Sequence, residues 1–276
     1  VLILNGRISD RTARRAPRVR PIYAAMLRCV DFICAQSPTD AARFIALGAS
    51  PSRIEVCGNT KFDQALGALD RTADEWRQTL SLPEGAPVLV VGSTRTPDEE
   101  QLVVDAYMRV RATLPDTCLV LAPRHLERVG EVERLLQARG LTPHRRSQLP
   151  LSDGAHAQVV IVDTFGELAS LYSVADVVVV GGAFAPLGGQ NLFQPLAHGK
   201  PVFFGPHTHN FRDIAQLAKA AGVGFEVQTA EQLAEGVLRL LHDPKLREQI
   251  AQQASELIQK HQGAAQRCAE VVKKWL

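Results

Sequence analysis

No stretch of this chain of 276 residues approaches the roughly 20 consecutive apolar residues that a bilayer-spanning helix needs. A signal-peptide pattern is also missing, because the apolar run Val1–Leu4 is short and arginine-rich sequence follows it. The five cysteines (Cys29, Cys34, Cys57, Cys118 and Cys268) are scattered and contain no C-x-x-C pair. That argues against a zinc ribbon or a disulfide framework and fits a reducing cytoplasm. Charge of one sign is not in excess: the net charge is +2, so the chain as a whole has no nucleic-acid footprint. G-x-G-x-x-G, the P-loop and the G-x-S-x-G elbow are all absent, which removes the usual dinucleotide, nucleoside-triphosphatase and serine-hydrolase readings. His207 and His209 have only Asp213 nearby, so no metal constellation stands out and a turn role suits them better.

What is present is a regular alternation. Hydrophobic residues make up 46% and charged residues 22%, as in ordinary globular proteins. Short apolar runs at Val88–Val91, Cys118–Ala122, Val159–Val162, Val177–Val180 and Val202–Phe204 read as buried parallel strands, with helical stretches between them. This pattern predicts an α/β fold with a doubly wound parallel sheet. Ahead of it, Val1–Leu4, Asp31–Ala35 and Ile54–Cys57 read as three further strands. The break Ser81-Leu82-Pro83-Glu84-Gly85 predicts a hinge, giving a first domain at 1–80 and a second at 81–276. The abrupt start on a core strand predicts that the sequence is a fragment whose first domain is incomplete.

Polar clusters follow the strands, where open α/β sheets hold ligands. Gly92-Ser93-Thr94-Arg95 offers hydroxyls and amides to a phosphate. Pro123-Arg124-His125 follows the second strand, and Arg124 can fork onto a phosphate or carboxylate. Asp163-Thr164-Phe165-Gly166-Glu167 follows the third; Gly166 allows close approach and Glu167 can accept from ligand hydroxyls. The richest segment runs from Gly181 through Gly188-Gly189-Gln190-Asn191-Leu192-Phe193-Gln194, with a helix start expected near Asn191, and continues to Gly205-Pro206-His207 and Asn210-Phe211. Any one cluster is an ordinary βα turn; all of them on one sheet edge predict a site for an anionic, hydroxyl-rich ligand such as a nucleotide sugar. A second feature is the arginine-rich opening, where Arg7, Arg11, Arg14, Arg15 and Arg18 face a single acid, Asp10. Positions 11, 14, 15 and 18 have helical spacing and form one basic face if the helix holds, although Pro17 and Pro21 predict a short or interrupted one.

These motifs together resemble the 3-deoxy-D-manno-octulosonic acid (Kdo) transferases, which are GT-B-like glycosyltransferases. The resemblance rests on Asn5-Gly6-Arg7-Ile8-Ser9, Gly58-Asn59-Thr60-Lys61-Phe62-Asp63, Gly92-Ser93-Thr94, Pro123–Arg128, Asp163–Leu168, Gly188–Asn191 and Gly205-Pro206-His207, in the family's order. It implies two Rossmann-like domains and a donor, CMP-Kdo or a similar nucleotide sugar, held mainly by the second. Ser93, Thr94, Pro123, Arg124, His125, Phe165, Gly166, Glu167 and the stretch Gly188–Gln194 would bind that donor. The acceptor would be an anionic glycolipid, a lipid A precursor, approached from the Arg7–Arg18 side. The protein would be cytoplasmic and peripheral on the inner membrane. No cofactor, metal or nucleic acid is implied. The family's catalytic carboxylate belongs upstream of Val1, so no catalytic residue is assigned within this sequence, and residues 1–276 alone are not expected to turn over. Two departures stand out: Gln190 replaces the family's His and Gln194 replaces its Glu, which keeps size and hydrogen bonding but removes a charge.

Overall fold

The computed structural model describes residues 1–63, 71–152 and 154–275. It separates into two compact units, Val1–Ala65 with Ile258–Leu276, and Leu66–Leu257. The division differs from the hinge expected at 80/81: the helix at Thr72–Leu80 belongs to the second unit, and the chain's closing helix to the first. Residues 64–70, within which the division falls, lie outside the described residues.

The first unit opens with β1 (Leu2–Gly6), α1 (Asp10–Arg14), α2 (Ala16–Arg28), β2 (Phe32–Ala35), α3 (Pro38–Ala46) and β3 (Ile54–Val56). The strands form a parallel sheet in the order β1-β2-β3. α3 starts as its sequence dictates. Ser37 caps it, Pro38 occupies the first turn, and Asp40 follows. Asp40 is nonetheless buried, because its carboxylate accepts from the Ile8 amide at 3.0 Å and from the Ser37 hydroxyl at 2.6 Å. Phe44, Leu47, Ile33 and Leu27 pack into one core beneath.

Pro21 does not interrupt the arginine-rich helix. α2 runs 13 residues with Pro17 in its first turn and Pro21 inside. The break falls at Arg15, which closes α1 and opens α2. Pro17 sits among the first amides, which lack intrahelical partners anyway, and Pro21 forfeits one bond, to the carbonyl of residue 17. Arg11, Arg14, Arg15 and Arg18 are all exposed but sit on two helices, not one continuous face. Asp10 pairs with Arg43 of α3 at 2.6 Å.

The second unit contains α4 (Ala73–Thr79), β4 (Val88–Thr94), α5 (Pro97–Thr113), β5 (Cys118–Pro123), α6 (Val129–Ala138), β6 (Pro143–Arg145), β7 (Val159–Ile161), α7 (Leu168–Leu171), β8 (Val177–Val180), α8 (Phe193–Ala197), β9 (Val202–Phe204), α9 (Arg212–Ala220), β10 (Gly224–Glu226) and α10 (Ala230–His242). Its sheet is parallel, in the order β10-β9-β8-β4-β5-β7-β6. The five strands expected from the sequence are its centre. β6 and β10 are additional three-residue edge strands. The central strands are buried on both faces, which is why they read as unbroken Val and Leu runs. Each such side chain contributes about 1.5–3 kcal/mol on burial.

α11 (Pro244–His261) leads out of the second unit, and α12 (Ala264–Lys273) closes the first. The motif Gly58–Asp63 acts here as a helix cap. The Asp63 carboxylate accepts from the Gly263 amide at 2.5 Å and the Ala265 amide at 2.7 Å, at the start of α12. Asp63→Ala is expected to destabilise the first unit by about 1–2 kcal/mol. Urea unfolding followed at Trp275, whose ring lies 6.4 Å from that of Phe32, checks it. Among the described residues, no helix is long and apolar enough to cross a membrane.

Candidate functional site

The strand order sets the site. Leaving edge strand β6 aside, the chain runs outward from β4 through β5 to β7, then returns to β8 on β4's other side and runs outward again to β10. The reversal between β4 and β8 opens a crevice at the strands' C-terminal ends, where doubly wound sheets take their ligands.

The loops at this edge stack directly on one another. A side chain at Gly181 would put its Cβ 2.7 Å from the Ser93 carbonyl oxygen and the Thr94 Cα. One at Gly205 would come within 2.4 Å of the Ala183 backbone. Only glycine lets three successive strand-end turns approach so closely. The turn after β9 then hydrogen-bonds the glycine loop, His207 N to Ala183 O at 2.9 Å and Asn210 N to Gly188 O at 3.0 Å. His207 therefore serves a turn, as expected.

An open pocket of about 670 Å³ lies beside these loops. It is lined by Ser93, Pro123, Arg124, Phe165, Gly166 and Gln194, together with Thr164 and apolar residues of the strand ends. Six of the expected donor residues thus share one cavity. The Arg124 amide is fixed to the Thr94 carbonyl at 2.8 Å, while its side chain is exposed and has no ion pair among the described residues. Phe165 is 82% exposed at the same mouth. A bare aromatic ring and a bare guanidinium on one rim offer stacking to a base and a fork to a phosphate.

The remaining expected residues stand behind the pocket or beside it. Thr94 is fully buried, its hydroxyl 3.3 Å from Glu100 Oε1, so it ties strand to helix. Leu192 and Phe193 are buried in the apolar core. Asn191 turns its side-chain oxygen to the Phe193 amide at 2.9 Å, and α8 begins at Phe193, two residues after the predicted start. Gln190 packs over Gly182. Gly188 and Gly189 carry the backbone bonds that close the loop, Gly189 N to Gly182 O at 2.7 Å. His125 is exposed, with Nδ1 3.6 Å from Glu127.

Glu167 does not line the pocket. Oε1 accepts from Arg146 at 3.0 Å, Oε2 pairs with Thr164, and Arg71 lies 3.9 Å away. Both guanidiniums also rest on the Trp76 ring, at 4.7 and 5.4 Å from its centroid, and Trp76 Nε1 donates to Ser170 at 2.8 Å. A carboxylate accepts at about four lone-pair sites, so Glu167 keeps capacity for a ligand hydroxyl.

Several supporting residues escaped the sequence reading. Glu99 and Glu100 look like ordinary first-turn acids of α5, yet both are buried. Glu99 accepts from the Arg95 amide at 2.9 Å and the Phe184 amide at 3.0 Å, pinning the β4 turn to the glycine loop. Glu100 receives both Nε and Nη2 of Arg128, at 3.0 and 2.5 Å. His198 braces the pocket wall from behind, Nε2 donating to the Ala169 carbonyl at 2.8 Å. Burial, with a smaller push from Lys200, holds its imidazole below the ordinary value of 6.5, against the pull of that carbonyl. The unfolded chain then takes up the proton first on acidification. Native stability contributed at this site is present above about pH 6.5 and is lost as pH falls through the lowered folded value. His198→Gln is expected to flatten this part of the stability–pH curve, measured by denaturant unfolding from pH 7.5 to 5.

With this geometry, similarity to known proteins is decisive. The family model "Glycosyl transferases group 1" matches residues 73–257, and "3-Deoxy-D-manno-octulosonic-acid transferase (kdotransferase)" matches residues 1–64. The chain belongs to the Kdo transferase family of group 1 glycosyltransferases. It is 35% identical to the 3-deoxy-D-manno-octulosonic acid transferase of Bordetella pertussis, over 99% of this chain and 63% of that protein. It is 30% identical to the Haemophilus influenzae protein of the same name, over 100% of this chain and 64% of that protein. The chain thus spans a little under two thirds of the length of these relatives. Among solved structures it resembles the C-terminal CMP-Kdo binding domain of WaaA from Acinetobacter baumannii, with 31% identity and a TM-score of 0.62, over 68% of this chain and 96% of that domain. Anabaena HepE in complex with UDP and glucose shares the fold at 15% identity and a TM-score of 0.61, over 99% of this chain and 70% of HepE. The expected GT-B-like α/β architecture is thereby shown.

Proposed function

We propose that this chain carries the donor site of a Kdo transferase, which moves Kdo from CMP-Kdo to a lipid A precursor in lipopolysaccharide synthesis. The observation that carries this reading is the pocket at the ends of β4, β5 and β7, beside the β4–β8 switch point, with Arg124 and Phe165 on its rim. The similarity to a domain described as CMP-Kdo binding supports it. In this reading the nucleotide enters the pocket, Phe165 covers the base, and Glu167, beside the pocket and held by Arg146, accepts from a ribose hydroxyl that extends past the rim. Arg124 and the loop amides near Ser93 then meet the phosphate.

The chemistry follows from that placement. Breaking the bond from the sugar to the phosphate leaves negative charge on CMP. A preformed guanidinium and oriented amides stabilise this charge as it develops. The acceptor hydroxyl also needs a general base. Among the described residues no carboxylate lines the pocket, and we assign the base to a carboxylate outside that set. A second reading, a different nucleotide-sugar donor, is favoured by the departures Gln190 and Gln194, of which Gln194 lines the pocket where the family carries an acid. Equilibrium binding of CMP, CMP-Kdo, UDP and UDP-sugars separates the two. Cytidine ligands should bind at least tenfold more tightly; a preference for uridine ligands would overturn the CMP-Kdo assignment.

The acceptor side is proposed to meet an anionic glycolipid at a membrane surface. Arg11, Arg14, Arg15 and Arg18 are exposed, and α2 also exposes Ile22 and Met26, at 66% and 61%. Basic side chains at such a surface contribute roughly 1 kcal/mol each and are screened by salt. Wild type should co-sediment with anionic vesicles at low salt, and a variant with these four arginines changed to alanine should not. Equal binding by both would remove this surface from the account.

A further inference from the structure

Three of the five cysteines, far apart in sequence, meet inside the first unit. Cys34 lies on β2, Cys57 just after β3, and Cys268 on α12. Their sulfurs all lie within 4.8 Å of one another. The side chains are 1%, 0% and 4% exposed, packed with Val271 and Phe32. The approach is built by the backbone: Cys57 N donates to Ala35 O at 3.0 Å, and Arg267 Nε donates to Cys57 O at 2.8 Å, drawing α12 onto the strand end. The sequence reading, which found only scattered cysteines, had no signal for this.

We infer that Cys34, Cys57 and Cys268 form a trithiol site for a trivalent thiophilic species of the arsenite class. Geometry and charge select that occupant. A central atom with bonds of about 2.3 Å, the zinc–thiolate length, holds three sulfurs about 4 Å apart or less. The present separations need only a small closure. Zinc would want a fourth ligand, and no further histidine, cysteine or carboxylate joins the group among the described residues. Three thiolates around zinc would also leave one buried negative charge, and around copper(I) two. Burial already opposes the thiolate forms, raising Cys34 well above the ordinary thiol range and pushing Cys57 upward as well, and an unpaired buried charge is costly. A trivalent pnictogen avoids both penalties. Arsenous acid condenses with three thiols to give a neutral tris-thiolate and three waters. Three S–H and three As–O bonds break, three As–S and three O–H bonds form, and no electron is transferred. Entry requires local opening of α12, a ten-residue helix. Once bound, the species staples α12 to the strand ends.

The test uses residues 1–276, reduced and then incubated with sodium arsenite. Native mass spectrometry should show one arsenic per chain. Alkylation after unfolding at low pH should then modify two thiols, those of Cys29 and Cys118, and spare three of the five. Arsenite should raise the Tm of wild type by several degrees, as any ligand of the native state does. Cys268→Ala and Cys57→Ser should each weaken binding at least tenfold, while Cys29→Ser binds like wild type. Two separate variants guard against a folding defect in one. Alkylation of all five thiols, unchanged binding in either core variant, or tighter binding of zinc than of arsenite would each overturn the proposal.

Discussion

Arg124→Ala is expected to lower the affinity for a cytidine nucleotide at least tenfold while leaving Tm nearly unchanged. The two halves of this expectation come from different facts. The Arg124 side chain is exposed and makes no ion pair among the described residues, so its removal breaks nothing in the fold. Its backbone is fixed by the amide bond to Thr94, so the guanidinium leaves from a constant point on the pocket rim. A charge-assisted hydrogen bond contributes about 1.5–3 kcal/mol, which is ten- to hundredfold in affinity. Arg124→Lys should recover part of the loss, because it restores charge without the planar fork. Isothermal titration with CMP reads both variants. Wild-type affinity in Arg124→Ala would move the phosphate elsewhere.

Arg128→Ala should have the opposite signature, a large loss of stability. Glu100 is 1% exposed, and Arg128 donates to both its oxygens. Removing the arginine strands a buried carboxylate, which in comparable pairs costs about 3–5 kcal/mol. Thr94 and Glu131 cannot replace the bidentate partner: one offers a single hydroxyl and the other repels. The double variant Arg128→Met with Glu100→Leu should recover most of the stability, since an apolar pair leaves no charge unpaired. Denaturant midpoints of the single and double variants check this. A single variant as stable as wild type would show that the pair carries no energetic weight.

The parts of this molecule legible in the sequence are those written locally. β4, β5 and β8 are buried on both faces, so burial alone forces runs of Val and Leu. The start of α3 is spelled out by Ser37 at the N-cap, Pro38 at the first helical position and Asp40 at the third. β6 and β10 stayed hidden because Pro-His-Arg and Gly-Phe-Glu form short edge strands, where one unpaired side relaxes the demand for apolar residues. The site was legible as a sheet edge, since every strand there ends in glycine, hydroxyl or arginine. Its supports were not: Glu99, Glu100 and Arg146 act through partners far along the chain, and a first-turn glutamate looks alike whether it is solvated or buried. The return of α12 to the first unit, and with it the meeting of Cys34, Cys57 and Cys268, is a matter of topology that local pattern does not encode.

The central claim is that a cytidine nucleotide sits in the pocket between the ends of β4, β5 and β7. Its most direct test is to titrate isotopically labelled protein with CMP and follow the backbone amide resonances. The account predicts saturable shifts concentrated at Ser93, Arg124, Phe165, Gly166 and Gln194, with the first unit largely unaffected. Shifts that cluster away from these residues, or none at saturating CMP, would contradict it.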